Sequence, residues 1–187
     1  MAAEPVTGSE SAVLVPFPEA ERVVSPHRAR LDGAAALGVP AHVTVLYPFV
    51  PPPAITPSVL ETLAGAVASV SAFGCEFGAT AWFGEDVLWL APRPSAPFLA
   101  LTRAVCTAFP GYRPYGGAHL DPVPHLTVGE RPAGGVAELR AAEEAVRAQL
   151  PIRAQVSRVW LMTRRPSPGG WRTVAEFPLA DPPLGTG

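Results

Sequence analysis

Short apolar runs alternate with proline- and glycine-rich segments along the chain, and this pattern predicts the strands. The runs are rich in β-branched and aromatic residues, which is typical of half-buried strands. They lie at 12–17, 42–49, 75–83, 87–92 and 124–130. Gly84, Glu85 and Asp86 separate the third run from the fourth, so these two runs are expected to form a hairpin.

Apolar positions spaced by three and four residues predict helices in the segments between these runs. The helices are expected at 18–30, from 57 onward, at 95–109 and at 134–150. Pro26 is expected to interrupt the first of them, because an interior proline removes a hydrogen bond. Two final strands, at 152–164 and 171–179, are predicted to pair as a hairpin.

The order strand, helix, strand occurs twice, once in each half of the chain. Such an approximate duplication predicts an α+β fold with two lobes, each built on an antiparallel-rich sheet. We expect residues 1–11 to be a flexible N-terminal tail, 12–180 a single two-lobed domain and 181–187 a C-terminal tail. With 187 residues, 48% of them hydrophobic, the chain is long and apolar enough to bury such a core.

The two halves share a short motif, which reads "AHVTV" at 41–45 and "PHLTV" at 124–128. Because successive strand residues point to opposite faces, each histidine shares a face with the threonine two positions later. The pairs are His42 with Thr44 and His125 with Thr127. If a pseudo-twofold axis relates the lobes, the two pairs face each other across a central cleft.

Two imidazoles and two hydroxyls around one small volume suit phosphoryl chemistry. With an ordinary pKa near ~6.5, one histidine can act as a base while the other acts as an acid. Threonine hydroxyls can donate hydrogen bonds to the non-bridging oxygens of a phosphate. A lone histidine on a strand is more often structural, but two matching motifs in corresponding places of a duplicated layout favour a catalytic pair.

The paired motifs resemble the two H-x-[ST] signatures of the 2H phosphoesterase superfamily, whose bacterial members include 2′-5′ RNA ligase-like proteins and RNA 2′,3′-cyclic phosphodiesterases. The resemblance spans about residues 12–180. It implies a bilobal pseudo-twofold fold, with two antiparallel-rich sheets flanking a central cleft and helices outside. It also implies phosphate binding by Thr44 and Thr127. In this family pattern His42 protonates the leaving ribose oxygen and His125 activates water, and the two roles can be exchanged.

The resemblance further implies a metal-independent cyclic phosphodiesterase without a cofactor. The expected substrate is an RNA or nucleoside 2′,3′-cyclic phosphate, opened to a 2′-phosphate. 2′-5′ ligation would be the same chemistry with a 5′-hydroxyl as the nucleophile in place of water. Three alternatives stay open: a non-catalytic module that binds nucleotides or RNA ends in the same cleft, a scaffold protein without a site, and a metal site. The metal site would use His119, Asp121 and His125, but nothing repeats that cluster around His42.

Five further residues are candidates for substrate binding. Arg131 follows the second motif and can reach a phosphate or a base, or lie in solvent. Tyr47 and Phe49 follow the first motif and can stack on a nucleobase or pack in the core. Arg113 and Tyr115 lie in the loop "GYRPYGG", which is either a substrate-contacting lid or an ordinary surface loop.

The composition of the chain limits which binding partners are expected, but it says little about the reaction. The net charge of −2 argues against coating long nucleic acid, so we expect a nucleotide or an RNA terminus bearing a cyclic phosphate. Cys75 and Cys106 lack C-x-x-C spacing and are expected to be free thiols. No apolar stretch approaches ~18 residues and the N-terminus lacks a signal pattern. We therefore expect a cytoplasmic protein with no membrane association and no obligate protein partner.

Overall fold

The molecule is built on two four-stranded sheets. The structure is a computed structural model that describes residues 10–118, 122–131, 133–164 and 169–181. Its strands are β1 (Glu10–Pro16), β2 (His42–Leu46), β3 (Phe73–Phe83), β4 (Val87–Arg93), β5 (Leu126–Glu130), β6 (Ile152–Val156), β7 (Arg158–Arg164) and β8 (Trp171–Pro178). Sheet 1 has the order β2-β1-β7-β8 and sheet 2 the order β5-β4-β3-β6. All strand pairs within these sheets are antiparallel, which confirms the predicted α+β class.

Most of the helices pack against one of the two sheets. They are α1 (Pro18–Leu31), α2 (Gly33–Ala36), α3 (Pro57–Ala68), α4 (Ala96–Ala108) and α5 (Val136–Arg147), with 3₁₀ turns at Pro52–Ala54 and Pro114–Gly117. α3 begins where the sequence predicts it, because the Thr56 hydroxyl accepts a hydrogen bond from the Val59 backbone N–H at 3.3 Å. The predicted helices at 95–109 and 134–150 are confirmed with slightly shorter bounds.

Each lobe contributes a helix to the sheet of the other lobe. α1 follows β1 of sheet 1 but packs against β5 and β6 of sheet 2, whereas α4 follows β4 of sheet 2 and packs against β2 of sheet 1. One continuous core results, in which Phe17 meets Phe77 edge to face at 4.9 Å between ring centroids. Gly129 allows β5 to approach α1, because a Cβ at this position would lie 2.7 Å from the Leu31 Cβ. The edge strands β2 and β5 contact each other, so the exchange brings the two H-x-T motifs to one junction.

One helix prediction and one strand prediction near the N-terminus are wrong in detail. α1 continues through Pro26, because Pro26 and Arg22 are both exposed and water can satisfy the carbonyl that the proline leaves unpaired. β1 begins at Glu10, inside the predicted tail, because the buried Glu10 carboxylate accepts a hydrogen bond from the Tyr47 hydroxyl at 3.0 Å. The other domain boundaries stay predictions.

The predicted strand at 152–164 is two strands in two sheets. β6 belongs to sheet 2 and β7 to sheet 1, with Ser157 between them, so only β7 pairs with β8. The burial pattern changes phase at this point: Ile152, Ala154 and Val156 are buried before it, and Val159 and Leu161 after it. This phase change keeps the apolar side chains of β7 on the core face of sheet 1.

Candidate active site

His42 and Thr44 lie on one face of β2, the edge strand of sheet 1. Val43 and Val45 point to the opposite face and are buried in the core. Thr44 pairs with Leu14 of the neighbouring strand β1. The alternation predicted from the sequence is confirmed for this segment, and it leaves the imidazole and the hydroxyl half-buried on the face away from the core.

The second motif occupies the corresponding place at the edge of sheet 2. His125 directly precedes β5, and Thr127 lies within that strand. Leu126 and Val128 are buried in the core, whereas the histidine and the threonine are half-buried. Thr127 pairs with Trp89 of β4. Both motifs therefore stand on edge strands that contact each other, one from each sheet.

Both imidazoles are held by the same local hydrogen bond. Nδ1 of His42 lies 2.8 Å from the Pro40 carbonyl oxygen, and Nδ1 of His125 lies 2.7 Å from the Val123 carbonyl oxygen. Because a carbonyl oxygen only accepts hydrogen bonds, Nδ1 must carry the proton in each ring. The neutral tautomer thus leaves Nε2 unprotonated in both rings, which is the state that can accept a proton from a substrate.

Burial lowers the pKa of both histidines. The His42 pKa falls to about 4, chiefly because the ring is removed from water; the hydrogen bond to Pro40 opposes the fall and the Arg28 guanidinium adds to it. Positive charge on His125 also lowers the His42 pKa, so the two rings are electrostatic neighbours. Burial is the main cause that lowers the His125 pKa as well. Both rings are therefore mainly neutral at pH 7 in the free protein.

A buried ion pair anchors the segment that leads into the first motif. Nη2 of Arg28, a residue only 2% exposed, lies 2.8 Å from Oδ2 of Asp32. The same nitrogen donates to the Val39 carbonyl at 3.2 Å, shortly before His42. The other Asp32 oxygen accepts the Ala34 backbone N–H at 2.9 Å and caps α2. The pair ties α1 to the start of β2, and the Asp32 carboxylate acts to raise the His42 pKa.

Replacing His42 by asparagine is expected to flatten the acid side of the stability profile. Below pH ~6.5 the unfolded chain takes up a proton on His42, whereas the folded protein does so only near pH 4. In this window the unfolded state binds more protons, so the free energy of unfolding falls with falling pH, by up to about 1.4 kcal/mol per pH unit. Urea unfolding of both proteins across this range checks it. Parallel stability profiles of the wild type and the variant would contradict a neutral His42 ring in the folded protein. Asparagine is chosen because its amide keeps a donor for the Pro40 carbonyl.

The loop "GYRPYGG" reaches the first motif through Tyr115. The Tyr115 backbone N–H donates to the Tyr47 carbonyl at 2.6 Å, and the Tyr115 hydroxyl forms a hydrogen bond with Thr44. The Tyr115 backbone has φ 52°, a left-handed conformation that is disfavoured for residues other than glycine. A cavity of about 10 Å³ remains beside Tyr115, Thr44 and Pro124. The loop therefore contacts the site, and Tyr115 holds the Thr44 side chain from one side.

Phe49 offers no surface to a nucleobase. It is 3% exposed and packs edge to face on Phe109 at 4.9 Å between centroids, so it belongs to the core. Tyr47 is half-buried; its hydroxyl donates to Glu10 and its ring meets Trp171 edge-on at 6.1 Å. Of the two stacking candidates after the first motif, only Tyr47 retains an accessible ring.

The two arginine candidates are both exposed. Nη1 of Arg131 lies 3.2 Å from Oδ1 of Asp86, in the turn between β3 and β4. An ion pair this exposed contributes at most about 1 kcal/mol, so it does not lock the guanidinium in place. Arg113 precedes the 3₁₀ turn that contains Tyr115. Neither position identifies a phosphate contact.

Two aromatic rings beside His125 were not predicted from the sequence. Phe83 stacks on Trp89 with 4.7 Å between centroids and 25° between ring planes. Both rings meet the His125 ring edge-on, at 4.9 Å and 5.9 Å. The two residues lie on the predicted hairpin strands, but only the register of β3, β4 and β5 shows that they share a face with the second motif.

A family model described as the 2′-5′ RNA ligase superfamily matches residues 16–168, a segment that includes both H-x-T motifs. The chain belongs to this superfamily. Membership in the 2′-5′ RNA ligase superfamily confirms the resemblance to 2H phosphoesterases. No curated protein matches the sequence significantly.

Solved structures similar to this superfamily member cover nearly the whole chain. E. coli LigT complexed with 3′-AMP has a TM-score of 0.59 and 16% identity, covering 91% of this chain and 98% of LigT. TT0787 of Thermus thermophilus has a TM-score of 0.61 and 16% identity, covering 92% and 98%. A structure named as a phosphoesterase has a TM-score of 0.60 and 15% identity, covering 93% and 99%. At these identities the likeness establishes the fold alone.

The residues that the structure describes support neither a metal site nor a cysteine nucleophile. These residues contain no group of three or more histidine, cysteine or acidic side chains able to hold a metal. His119 and Asp121, which the metal alternative requires, lie outside them. Cys75 and Cys106 are free, and burial raises the pKa of the Cys75 thiol to about 12, so it is a poor nucleophile. In the same ranges no helix has the length and apolarity to span a membrane.

Proposed function

We propose that the protein is a metal-independent phosphodiesterase that opens an RNA or nucleoside 2′,3′-cyclic phosphate to a 2′-phosphate. The observation that carries the proposal is the doubled arrangement of His42 and His125. Each ring donates Nδ1–H to the carbonyl two residues earlier and so leaves Nε2 unprotonated, and the two motifs lie at contacting edge strands of different sheets. Superfamily membership supports a phosphoester substrate. The complex of LigT, a protein of the same fold, with 3′-AMP supports a nucleotide.

The reaction needs one proton acceptor and one proton donor on opposite sides of phosphorus. Water attacks phosphorus while one Nε2 takes its proton, the bond from phosphorus to O3′ breaks, and the other ring protonates O3′. The products are a 2′-phosphate and a free 3′-hydroxyl. The family pattern makes His42 the acid and His125 the base. The same bonds form and break if the two roles are exchanged. A 5′-hydroxyl that attacks in place of water gives 2′-5′ ligation by the same chemistry.

The lowered pKa values fit this cycle because the substrate is an anion. In the free protein both rings are mainly neutral at pH 7, which suits the base. A negatively charged phosphate placed beside the rings raises the pKa of the acid and favours its protonation. Thr44 and Thr127 share the faces of the two histidines and can donate hydrogen bonds to the non-bridging oxygens. Tyr115 would keep the Thr44 hydroxyl oriented during the reaction.

Hydrolysis of a nucleoside 2′,3′-cyclic phosphate in excess chelator tests the proposal directly. We expect a turnover rate that the chelator does not change, because the chain supplies both the acid and the base. The 2′-phosphate is expected as the sole product, because the bond from phosphorus to O3′ is the one that breaks. Loss of activity in chelator would point to a required metal. Tight binding of nucleotides without turnover of either mononucleotide or oligonucleotide substrates would favour the non-catalytic binding module.

A further inference from the structure

A stacked pair of aromatic rings borders the candidate site on the side of His125. Phe83 is the last residue of β3, and Trp89 lies on β4 across the hairpin. Trp89 is 9% exposed, whereas Phe83 is 36% exposed. Since one face of Phe83 covers the indole, its exposure falls largely on the other face. The described part of the chain exposes three large apolar side chains, and Phe83 is the aromatic one among them.

The pair is built as a supported surface rather than as ordinary core packing. The Trp89 ring fixes the plane of Phe83 from behind, and the His125 ring fixes its edge. Nε1 of Trp89 is buried and has no hydrogen-bond partner among the described residues. A buried donor left unpaired is unfavourable for stability, so a more stable hairpin would carry an apolar residue here. The indole therefore supplies a flat support for Phe83 at a cost in stability.

The position of Phe83 fits the geometry of a nucleoside cyclic phosphate. In such a substrate only the ribose separates the phosphate from the base. If the phosphate lies at the His125 ring, the base therefore falls within reach of an aromatic face whose centroid is 4.9 Å from that ring. Stacking on an aromatic face is the usual way in which proteins bind unpaired bases, and it tolerates all four bases.

We propose that the outer face of Phe83, supported by Trp89, stacks on the base of the substrate. This makes Phe83 a specificity-determining residue that selects nucleosidic phosphoesters over phosphoesters that lack a base. The placement of the phosphate beside His125 rests on the proposed function. Because Phe83 brings no hydrogen-bonding group, the subsite is expected to favour the larger purines without reading a particular base edge.

Equilibrium binding of two product analogues tests the inference. Calorimetry would compare adenosine 2′-monophosphate with the same ribose phosphate lacking a base, for the wild type, Phe83→Leu and Phe83→Tyr. We expect leucine to weaken binding of the nucleotide by about 5–100-fold, with a much smaller effect on the base-free compound, and tyrosine to restore the wild-type value. Val174→Ala truncates another exposed apolar side chain, on β8, and serves as the matched control.

The outcomes separate this inference from the proposed function. An equal loss for both compounds in Phe83→Leu would mean that Phe83 only packs His125, and the stacking role would be wrong. A wild type that does not distinguish the nucleotide from the base-free compound would overturn it too, whatever the turnover. Nucleotide binding that depends on Phe83, in a wild type that hydrolyses no cyclic phosphate, would support the subsite and reject the proposed function.

Discussion

Alanine at His42 or at His125 is expected to lower kcat for a nucleoside 2′,3′-cyclic phosphate by about 10²–10⁴-fold. Each substitution removes one of the two groups that move a proton, and neither threonine nor water at the site has a pKa suited to replace it. The double variant is expected to lose little more than the worse single variant, because acid and base act on one transition state. Steady-state kinetics on the purified, folded variants measures both effects.

The chain offers a matched control for this experiment. His27 is half-buried on α1 and lies outside either H-x-T motif, so His27→Ala removes an imidazole without touching the pair. We expect its kcat to stay within about threefold of the wild type, an effect of the size that ordinary surface substitutions have. Near-normal kcat in His42→Ala or His125→Ala would show that the matching motifs are not the site. Circular dichroism excludes simple loss of fold in each variant.

The two motifs could be predicted from the sequence because strand alternation is a local property. Two residues of spacing are enough to place His42 with Thr44 on one face, whichever strands surround them. The hydrogen bonds from Nδ1 depend on the backbone directly before each strand, where Pro40 and Val123 present their carbonyls, and no residue pattern fixes that geometry. The placement of both motifs on strand faces was therefore predictable, but the tautomer of their rings was not.

Contacts between distant segments could not be predicted from the sequence for a different reason. Phe83 and Trp89 meet His125 only through the register of three strands, and the pairing of β4 with β5 contains an irregularity between Leu88 and Trp89. An irregularity changes which residues stand opposite each other, so counting along β4 and β5 does not give the partner of Trp89 on β5. The phase change at Ser157, by contrast, is a local feature that the sequence shows as a shift of the apolar positions.

The buried pair of Arg28 and Asp32 could not be predicted from the sequence, because the predicted break at Pro26 ends the helix too early. A helix broken at Pro26 would leave Arg28 and Asp32 in a loop, where charged residues are normally exposed. Because α1 is continuous to Leu31 and packs against β5, Arg28 lies in its last turn and Asp32 caps its end four positions later. The helix thus carries a charge pair to within electrostatic range of His42.

Replacing Asp32 by asparagine is expected to lower the free energy of unfolding by about 3–5 kcal/mol. The substitution leaves the Arg28 guanidinium buried without a counter-charge, which is the costly half of a broken buried ion pair. Asparagine keeps an oxygen for the Ala34 N–H, so the cap of α2 is preserved. The control is Glu76→Gln, which breaks the exposed pair with Arg153 and is expected to cost less than about 1 kcal/mol. Urea unfolding at neutral pH compares the two.

A second substitution decides whether the cost comes from the unpaired charge or from lost packing. Adding Arg28→Met to Asp32→Asn removes the cation and keeps most of its volume, so part of the stability is expected to return. The pKa of His42, followed by NMR, adds a readout whose direction depends on which of the two charges is removed. It should fall further in Asp32→Asn, where the carboxylate that raises it is gone, and rise again when Arg28 is removed as well. A loss no larger than that of Glu76→Gln, with an unchanged His42 pKa, would mean that water reaches Arg28 and that the pair does not set the charge environment of the first motif.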